Sequence, residues 1–566
     1  MLKIMNNSQA STLIFLYLVF LSQLVAEPLV KISQGLLQGT TFVTRNGKNI
    51  TAFLGVPFAE PPVGELRFRS PVPEKPWNGV RLANKDANVC PQESNGKIKG
   101  DENCLYLNVY TPLREFNISV VNSDSDRSLL PVMVWIHGGG FYEGSSRTTS
   151  YHPSYILDKD ILLVVLNYRL GIFGFLSTGD SVAPGNFGLK DQVLALKWVQ
   201  KNIKFFGGNP NRVTIMGESA GGASVHFHVL SNASNGLFQQ YVIQSGSALA
   251  PWAYRKRTPF TPFLNNVAEK VGCPISSSED FINCLRKTSA DKLMNVLEFS
   301  KDNFPILDWA PTDELESDEA FLTDSPKNLI AQNRMKDHPF ISGTVADEGL
   351  LVTFRHYINK TSCPINHLVE RVINNTSNHY GKSDDTPKFI KKVQEQYFNE
   401  SIDSLPKEKI LHNYTTFVGD SGFYYPQLIL IEKMEKFSKS PFYFYSFGYL
   451  SLNMSKIFSK FDIKDPLGVA HAEDLSYLFP KENLKEISKN DEKILKLMID
   501  LWTSFAINGK PTSDQLDDPN LWLPYAKNRS FLQIGNMLNN TDPAVTLEQN
   551  YFTPRMEFWK KQFPVL

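Results

Sequence analysis

The 566-residue chain carries 58 Lys and Arg against 58 Asp and Glu, a balance that gives it no net charge with which to seek nucleic acid or an acidic membrane surface. With 42% hydrophobic and 20% charged residues it has the make-up of a large globular protein with an ample core, not of a disordered or fibrous one.

Taken in chain order, the first segment reads as a cleaved signal peptide over residues 1–26. Lys3 supplies a positive start, an apolar run extends from Leu13 to Leu21, and Ala26 is a cleavage point. The run is too short to span a membrane comfortably, and the C-terminus carries no lipid-anchor tail, so no membrane anchor is expected. Residues 27 to about 125 have the pattern of short strands and many turns, with a rigid proline-rich stretch from Val56 to Gly64. After a polar loop from Asn117 to Ser128, Leu129–His137 and Ile161–Leu166 are continuous apolar runs of the buried-strand type. Leu189 to Ile203 shows helical spacing, with Leu189, Val193, Leu196 and Val199 on one face. Val213–Met216, Tyr241–Ile243, Phe340–Val345 and Phe442–Phe447 are further short strands, and Asp491–Ile507 is an amphipathic helix closed by Asn508-Gly509. Apolar strands alternating with helices predict an α/β architecture, a parallel sheet covered on both faces. No internal repeat or long linker divides the chain, which predicts one domain over residues 27–566.

Five cysteines fall as two close pairs and one remainder. The spacing suggests local loops Cys90–Cys104 and Cys273–Cys284 in an oxidising compartment, with Cys363 left as a free thiol. No spacing suits zinc, and no metal is expected. Asn49, Asn117, Asn232, Asn359, Asn374, Asn375, Asn399, Asn413, Asn453, Asn528 and Asn539 each begin N-x-S/T and are glycosylation candidates, in keeping with secretion.

Two motifs carry chemistry. Gly217-Glu-Ser-Ala-Gly221 follows the strand Val213–Met216 and precedes a predicted helix, the context of a G-x-S-x-G nucleophile elbow. A strand turning straight into a helix lifts the serine hydroxyl clear of the sheet and places free N–H groups beside it. The second motif, His137-Gly-Gly-Gly140, ends a buried strand. Three adjacent glycines are entropically costly and imply a close backbone approach, as in an oxyanion hole completed by the N–H of Ala220. A serine needs a base, and the base an orienting carboxylate; where the serine stands on a nucleophile elbow, the chain order is Ser, acid, His. Asp347 and Glu348 both follow a predicted strand, and His471 and His412 both come later, so spacing alone leaves each choice open. His226 and His228 lie on the elbow helix and read as packing residues.

The chain resembles the type-B carboxylesterases of the carboxylesterase/cholinesterase family, and most closely the secreted insect esterases. The likeness runs through essentially the whole mature chain. It includes Phe53–Pro62, Leu66-Arg-Phe-Arg69, Cys104–Val109, Asn167–Gly171, Asn186–Gln192 and Gln244-Ser-Gly-Ser247. The resemblance implies the α/β-hydrolase fold: a large, mostly parallel central sheet with helices on both faces and a small N-terminal sheet. It further implies Ser219 as nucleophile, Glu348 as acid and His471 as base, with Gly139, Gly140 and Ala220 as oxyanion donors. Glu218 and Ser245 would stand near the histidine, and Trp252 would line the acyl side of the pocket. Arg67–Glu102 and Arg169–Asp191 match the family's structural ion pairs, and the two disulfides fall on Cys90–Cys104 and Cys273–Cys284. No cofactor is implied.

Departures narrow the reading. The loop between the first two cysteines, Pro91–Asn103, lacks the tryptophan on which cholinesterases hold choline. Juvenile hormone esterases usually read GQSAG where this chain has Glu218. Non-catalytic adhesion relatives have usually lost triad residues and continue into a membrane span, whereas this chain keeps the triad. The expectation is a secreted, extracellular serine carboxylesterase acting on a small-molecule ester, as a monomer or weak homodimer. The alternatives are a juvenile hormone or pheromone and odorant esterase of the same chemistry, or a non-catalytic adhesion or sequestering protein.

Overall fold

The computed structural model describes residues 27–94, 97–116, 129–258, 262–295, 307, 309–357, 365–380, 386–399, 402–451, 453–455, 467–480, 487–536, 539 and 541–563. The signal segment, Asn117, Asn359 and Cys363 lie outside the described residues.

The N-terminal part supplies β1 (Leu29–Lys31), β2 (Leu36–Gln38), β3 (Thr40–Val43), β4 (Asn49–Pro57), β5 (Val80–Leu82), β6 (Gln92–Ser94), β7 (Lys97–Lys99) and β8 (Tyr106–Thr111). The remainder supplies β9 (Leu130–Ile136), β10 (Leu162–Leu166), β11 (Gly208–Glu218), β12 (Gln240–Gln244), β13 (Phe340–Val345), β14 (Phe442–Phe447), β15 (Phe531–Ile534) and β16 (Val545–Glu548). Eleven strands form one sheet in the order β16-β15-β14-β13-β12-β11-β9-β10-β8-β4-β3. Its centre, from β10 to β15, is parallel, while β8, β4, β3 and β16 join antiparallel at the two ends. β1, β2 and β5 make a separate three-stranded sheet.

The apolar runs are continuous because the central strands are buried on both faces. Along β9, Val132, Val134 and Ile136 join a core with Phe187, Leu196, Val199 and Phe227, contributed by the helices Phe187–Asn202 and Ala220–Leu230. The alternate residues Met133 and Trp135 point the other way, toward Ile494, Met498 and Trp502 of the helix Lys489–Asn508. This is the period-two alternation of a strand between two helical layers. The helix expected from Asp491 begins earlier, at Lys489, because Ser488 and Asp491 cap each other's backbone N–H groups. It ends at Gly509 in the left-handed conformation, φ 70°.

Two disulfides close, Cys90–Cys104 and Cys273–Cys284. Arg67 ties the first loop to the chain just beyond the second. Its Nε donates to Glu102 at 2.7 Å while one terminal nitrogen donates to the carbonyls of Leu285 (2.7 Å) and Thr288 (2.6 Å). Arg169 and Asp191 form a bidentate buried pair at 2.8 and 2.7 Å. Among the candidate sequons, Asn49, Asn232, Asn374, Asn399, Asn453, Asn528 and Asn539 are exposed, whereas Asn375 and Asn413 are half-buried. No helix of the described residues is long and apolar enough to cross a membrane.

Candidate active site

Ser219 stands at the carboxyl end of β11, at the N-terminus of the helix Ala220–Leu230. Its backbone is held at φ 59°, ψ −125°, a conformation that costs a non-glycine residue about 1–3 kcal/mol. The turn is fixed from both sides. Ser219 N–H donates to Gln244 O at 2.9 Å, and Ser219 O accepts from Ala223 N–H at 2.8 Å. The strand and helix approach so closely that a Cβ on Gly221 would lie 2.1 Å from Ile136 O. Ser219 itself keeps partial exposure among buried neighbours.

The glycine loop after β9 passes against this serine: a Cβ on Gly138 would lie 3.0 Å from Ser219 Cβ. Gly139 adopts φ 100°, and a side chain there would meet Glu143 O at 2.1 Å, so glycine is obligatory. Among the described residues the N–H groups of Gly139, Gly140 and Ala220 have no acceptor. Three unengaged amides beside a serine are what a developing oxyanion requires. His137 supports the loop. Burial pushes its imidazole down to about 4, so it is neutral and donates from Nδ1 to Gly138 O at 2.8 Å. Its ring stacks on Tyr168 at 4.4 Å, and Tyr168 OH donates to His137 O at 2.9 Å.

The alternatives that spacing leaves open have different surroundings in the structure. Glu348, wholly buried after β13, accepts from His471 Nδ1 through Oε2 at 2.5 Å and from Val345 N–H through Oε1 at 3.0 Å. Asp347 turns the other way and pins the backbone of the histidine loop: Asp347 N–H donates to Val469 O (3.0 Å) and its Oδ2 accepts from Val469 N–H (2.8 Å). His412 is exposed on the helix Lys407–Gly419. His226 and His228 are buried, with Nδ1 of each at a serine hydroxyl, Ser247 and Ser234.

The other ring nitrogen of His471 lies 2.9 Å from Glu218 Oε1. The approach falls short of hydrogen-bond geometry, and among the described residues neither atom has another hydrogen-bond partner. Burial works against a charge on His471, but the charges of Glu218 and Glu348 outweigh it and hold the imidazole well above its ordinary range. A third carboxyl stands close by. Asp474 accepts from Gln244 Nε2 (2.8 Å) and Tyr445 OH (2.9 Å); burial, with the Glu218 charge adding to it, pushes it up to about 7. Ser245 is strained at φ 49°, and its buried hydroxyl has no hydrogen-bond partner among the described residues.

Trp252 is buried and donates from Nε1 to Gly422 O at 2.9 Å. It packs between Phe141, 6.5 Å away, and Phe423, 5.7 Å away, and Phe423 in turn covers His471 at 4.9 Å. Asp474, Phe423 and Tyr424 escape sequence reasoning. Asp474, three residues after His471, had a local signal; the two aromatics sit in a helical stretch with no motif. Among the described residues no cluster of three His, Cys, Asp or Glu side chains is placed to hold a metal ion.

The family model described as "Carboxylesterase family" matches residues 26–559. The chain is 36% identical to the juvenile hormone esterase of Tribolium castaneum over 95% of this chain and 94% of that one. It is 35% identical to a carboxylic ester hydrolase of Bombus ignitus, covering 94% and 93%. Among solved structures, the juvenile hormone esterase of Manduca sexta with OTFP covalently attached superposes with a TM-score of 0.81. Their sequence identity is 27%, and the match covers 94% of this chain and 99% of that one.

Proposed function

We propose, from the premise that the chain belongs to the carboxylesterase family and is a carboxylic-ester hydrolase, that it works through an acyl-enzyme on Ser219 with Glu348 and His471 completing the triad. The observation that carries the proposal is the Glu348–His471 contact of 2.5 Å. A carboxylate on Nδ1 fixes the tautomer whose Nε2 accepts a proton, and stabilises the imidazolium that forms when it does.

In this scheme Ser219 Oγ attacks the ester carbonyl as its proton passes to His471 Nε2. The carbonyl oxygen becomes an oxyanion held by the N–H groups of Gly139, Gly140 and Ala220. His471 returns the proton to the leaving alcohol. Water, deprotonated by the same nitrogen, then attacks the acyl-enzyme, and the carboxylic acid leaves as Ser219 recovers its proton. Glu218 supports the imidazolium from its Nε2 side, and the aromatic wall of Trp252, Phe141 and Phe423 suits an apolar acyl or alcohol group. No step calls for a cofactor.

Residues 27–566 are read as a single hydrolase domain, in keeping with one sheet whose strands run from Thr40 to Glu548. Extracellular export is supported by the two closed disulfides, which persist in oxidising compartments. A second reading, hydrolysis of juvenile hormone, is favoured by the two similar proteins named as juvenile hormone esterases.

The test is hydrolysis of p-nitrophenyl acetate and butyrate by the purified protein beside Ser219→Ala. Turnover that disappears in the variant is expected; turnover that persists in it would remove Ser219 from the mechanism. Juvenile hormone offered in competition then decides the second reading, which falls if the hormone neither slows the chromogenic reaction nor is itself cleaved.

A further inference from the structure

The helix Lys407–Gly419 passes into the helix Tyr425–Phe437 through five residues, Asp420–Tyr424, that form a π turn closed by Tyr425 N–H on Asp420 O. Such a turn displaces carbonyls from the α-helical ladder and is frequent at functional sites. Here two carbonyls are taken by side chains. Tyr380 OH donates to Ser421 O at 2.7 Å, and Trp252 Nε1 donates to Gly422 O at 2.9 Å.

Three successive residues of the turn reach three parts of the site. Gly422 O holds Trp252. Phe423 lies with its ring 4.9 Å from the imidazole of His471. Tyr424 OH accepts from Glu348 N–H at 3.2 Å and donates to Ala346 O at 2.5 Å, with Val345 O at 3.1 Å. Val345 N–H itself donates to the Glu348 carboxylate. The segment carrying the acid is therefore bonded both through its carboxylate and, by Tyr424, through its backbone.

The turn is braced from behind by the C-terminal helix Thr553–Gln562. Arg555 stands 3.3 Å from Asp420 Oδ1, with its guanidinium 5.8 Å from the Tyr424 ring. Asp420 Oδ2 accepts from Tyr397 OH at 2.7 Å, and Tyr397 OH accepts from Trp559 Nε1 at 2.7 Å. Burial holds the Tyr424 phenol well above its ordinary range, so it stays a neutral donor.

We infer that the π turn Asp420–Tyr424 is a positioning element for the acid and base, and that Tyr424 is the positioning residue whose hydroxyl sets the Glu348 carboxylate on His471 Nδ1. This rests on the Ser219–Glu348–His471 reading. A group that fixes the acid acts on the base through it. With Glu348 drifting, His471 loses part of the charge that raises its proton affinity, and the imidazolium loses part of its support.

The experiment compares Tyr424→Phe, which keeps the ring and removes the hydroxyl, with the wild type. Active sites are counted by titration with a fluorophosphonate, and kcat, KM and the pH dependence of kcat/KM are measured on p-nitrophenyl butyrate. The expected result is a kcat per titrated site lower by about tenfold, the effect of one hydrogen bond left unmade, with KM within about twofold. The acidic limb of kcat/KM moves to lower pH. A variant that is merely less stable loses titratable sites but keeps the wild-type kcat per site and the wild-type limb, and that result overturns the inference. If Tyr424→Phe does not fold, Arg555→Gln removes the brace. A lower kcat per site with the limb displaced in the same direction supports the inference, and an unchanged profile overturns it. Failure of the triad reading is a separate outcome, seen in the wild type as a fluorophosphonate that leaves Ser219 unlabelled.

Discussion

Replacing Glu218 by Gln removes one of the two charges that flank His471 while keeping the shape of the side chain. Glu218 Oε1 lies 2.9 Å from Nε2, and the two side chains are only 6% and 5% exposed, so solvent screens the pair weakly. Unit charges at that separation attract by about 1.4 kcal/mol at the dielectric constant of water and by about 6 kcal/mol at an effective constant of 20. Either figure makes Glu218 a substantial part of what holds the proton on His471, so its loss lowers the histidine. The sign follows from the direction of the effect. Glu218 raises the histidine, catalysis needs the neutral imidazole, and without Glu218 the ring stays neutral to lower pH. The acidic limb of kcat/KM therefore moves to lower pH, and the plateau falls because the transition-state imidazolium has lost a counter-charge. The assay is the initial rate of p-nitrophenyl butyrate hydrolysis followed from acid to mildly alkaline pH. A limb that stays in place, or moves upward, refutes the reasoning and removes Glu218 from the electrostatics of the base.

Four further variants test other parts of the account. Glu348→Ala should lower kcat by about 10³–10⁴, whereas Asp347→Ala, which only unpins the histidine loop, should lower it less than about tenfold; equal losses would mean that the acid has been misassigned. Gly139→Ala forces a side chain into Glu143 O and displaces the oxyanion amides, so kcat should fall by about 10²–10³. Wild-type turnover in that variant would place the oxyanion elsewhere. Cys273→Ser with Cys284→Ser opens a loop of sequence separation 11 and should cost about 3 kcal/mol of stability, read as a lower denaturant midpoint with kcat unchanged. An unshifted midpoint would show that the bridge constrains little.

The fold was legible wherever local pattern and tertiary role agree. The central strands are buried on both faces, so β9 and β10 appear in the chain as plain apolar runs and β14 as a largely aromatic one. The elbow and the glycine loop were legible for a different reason: a strained serine and a close backbone approach restrict the residue types that fit. The proposed acid was not, because Asp347 and Glu348 are adjacent and differ only in side-chain direction. One bonds a backbone N–H and the other bonds His471. Family resemblance pointed to Glu348, but no feature of periodicity did. Phe423 and Tyr424 were invisible because their roles depend on a single π turn, a change of one hydrogen-bond step that leaves no mark in hydrophobic spacing. Asp474 could have been suspected only from its place beside the histidine. Its involvement depends on Gln244 and Tyr445, each distant in sequence.

The central claim is that Ser219 is the atom-bearing nucleophile. Treating the purified protein with a fluorophosphonate, then mapping the adduct by peptide mass, tests it most directly. The account predicts one adduct per chain, on the peptide containing Ser219, formed in step with loss of esterase activity. An adduct on another residue, or full activity surviving with Ser219 modified, would contradict it.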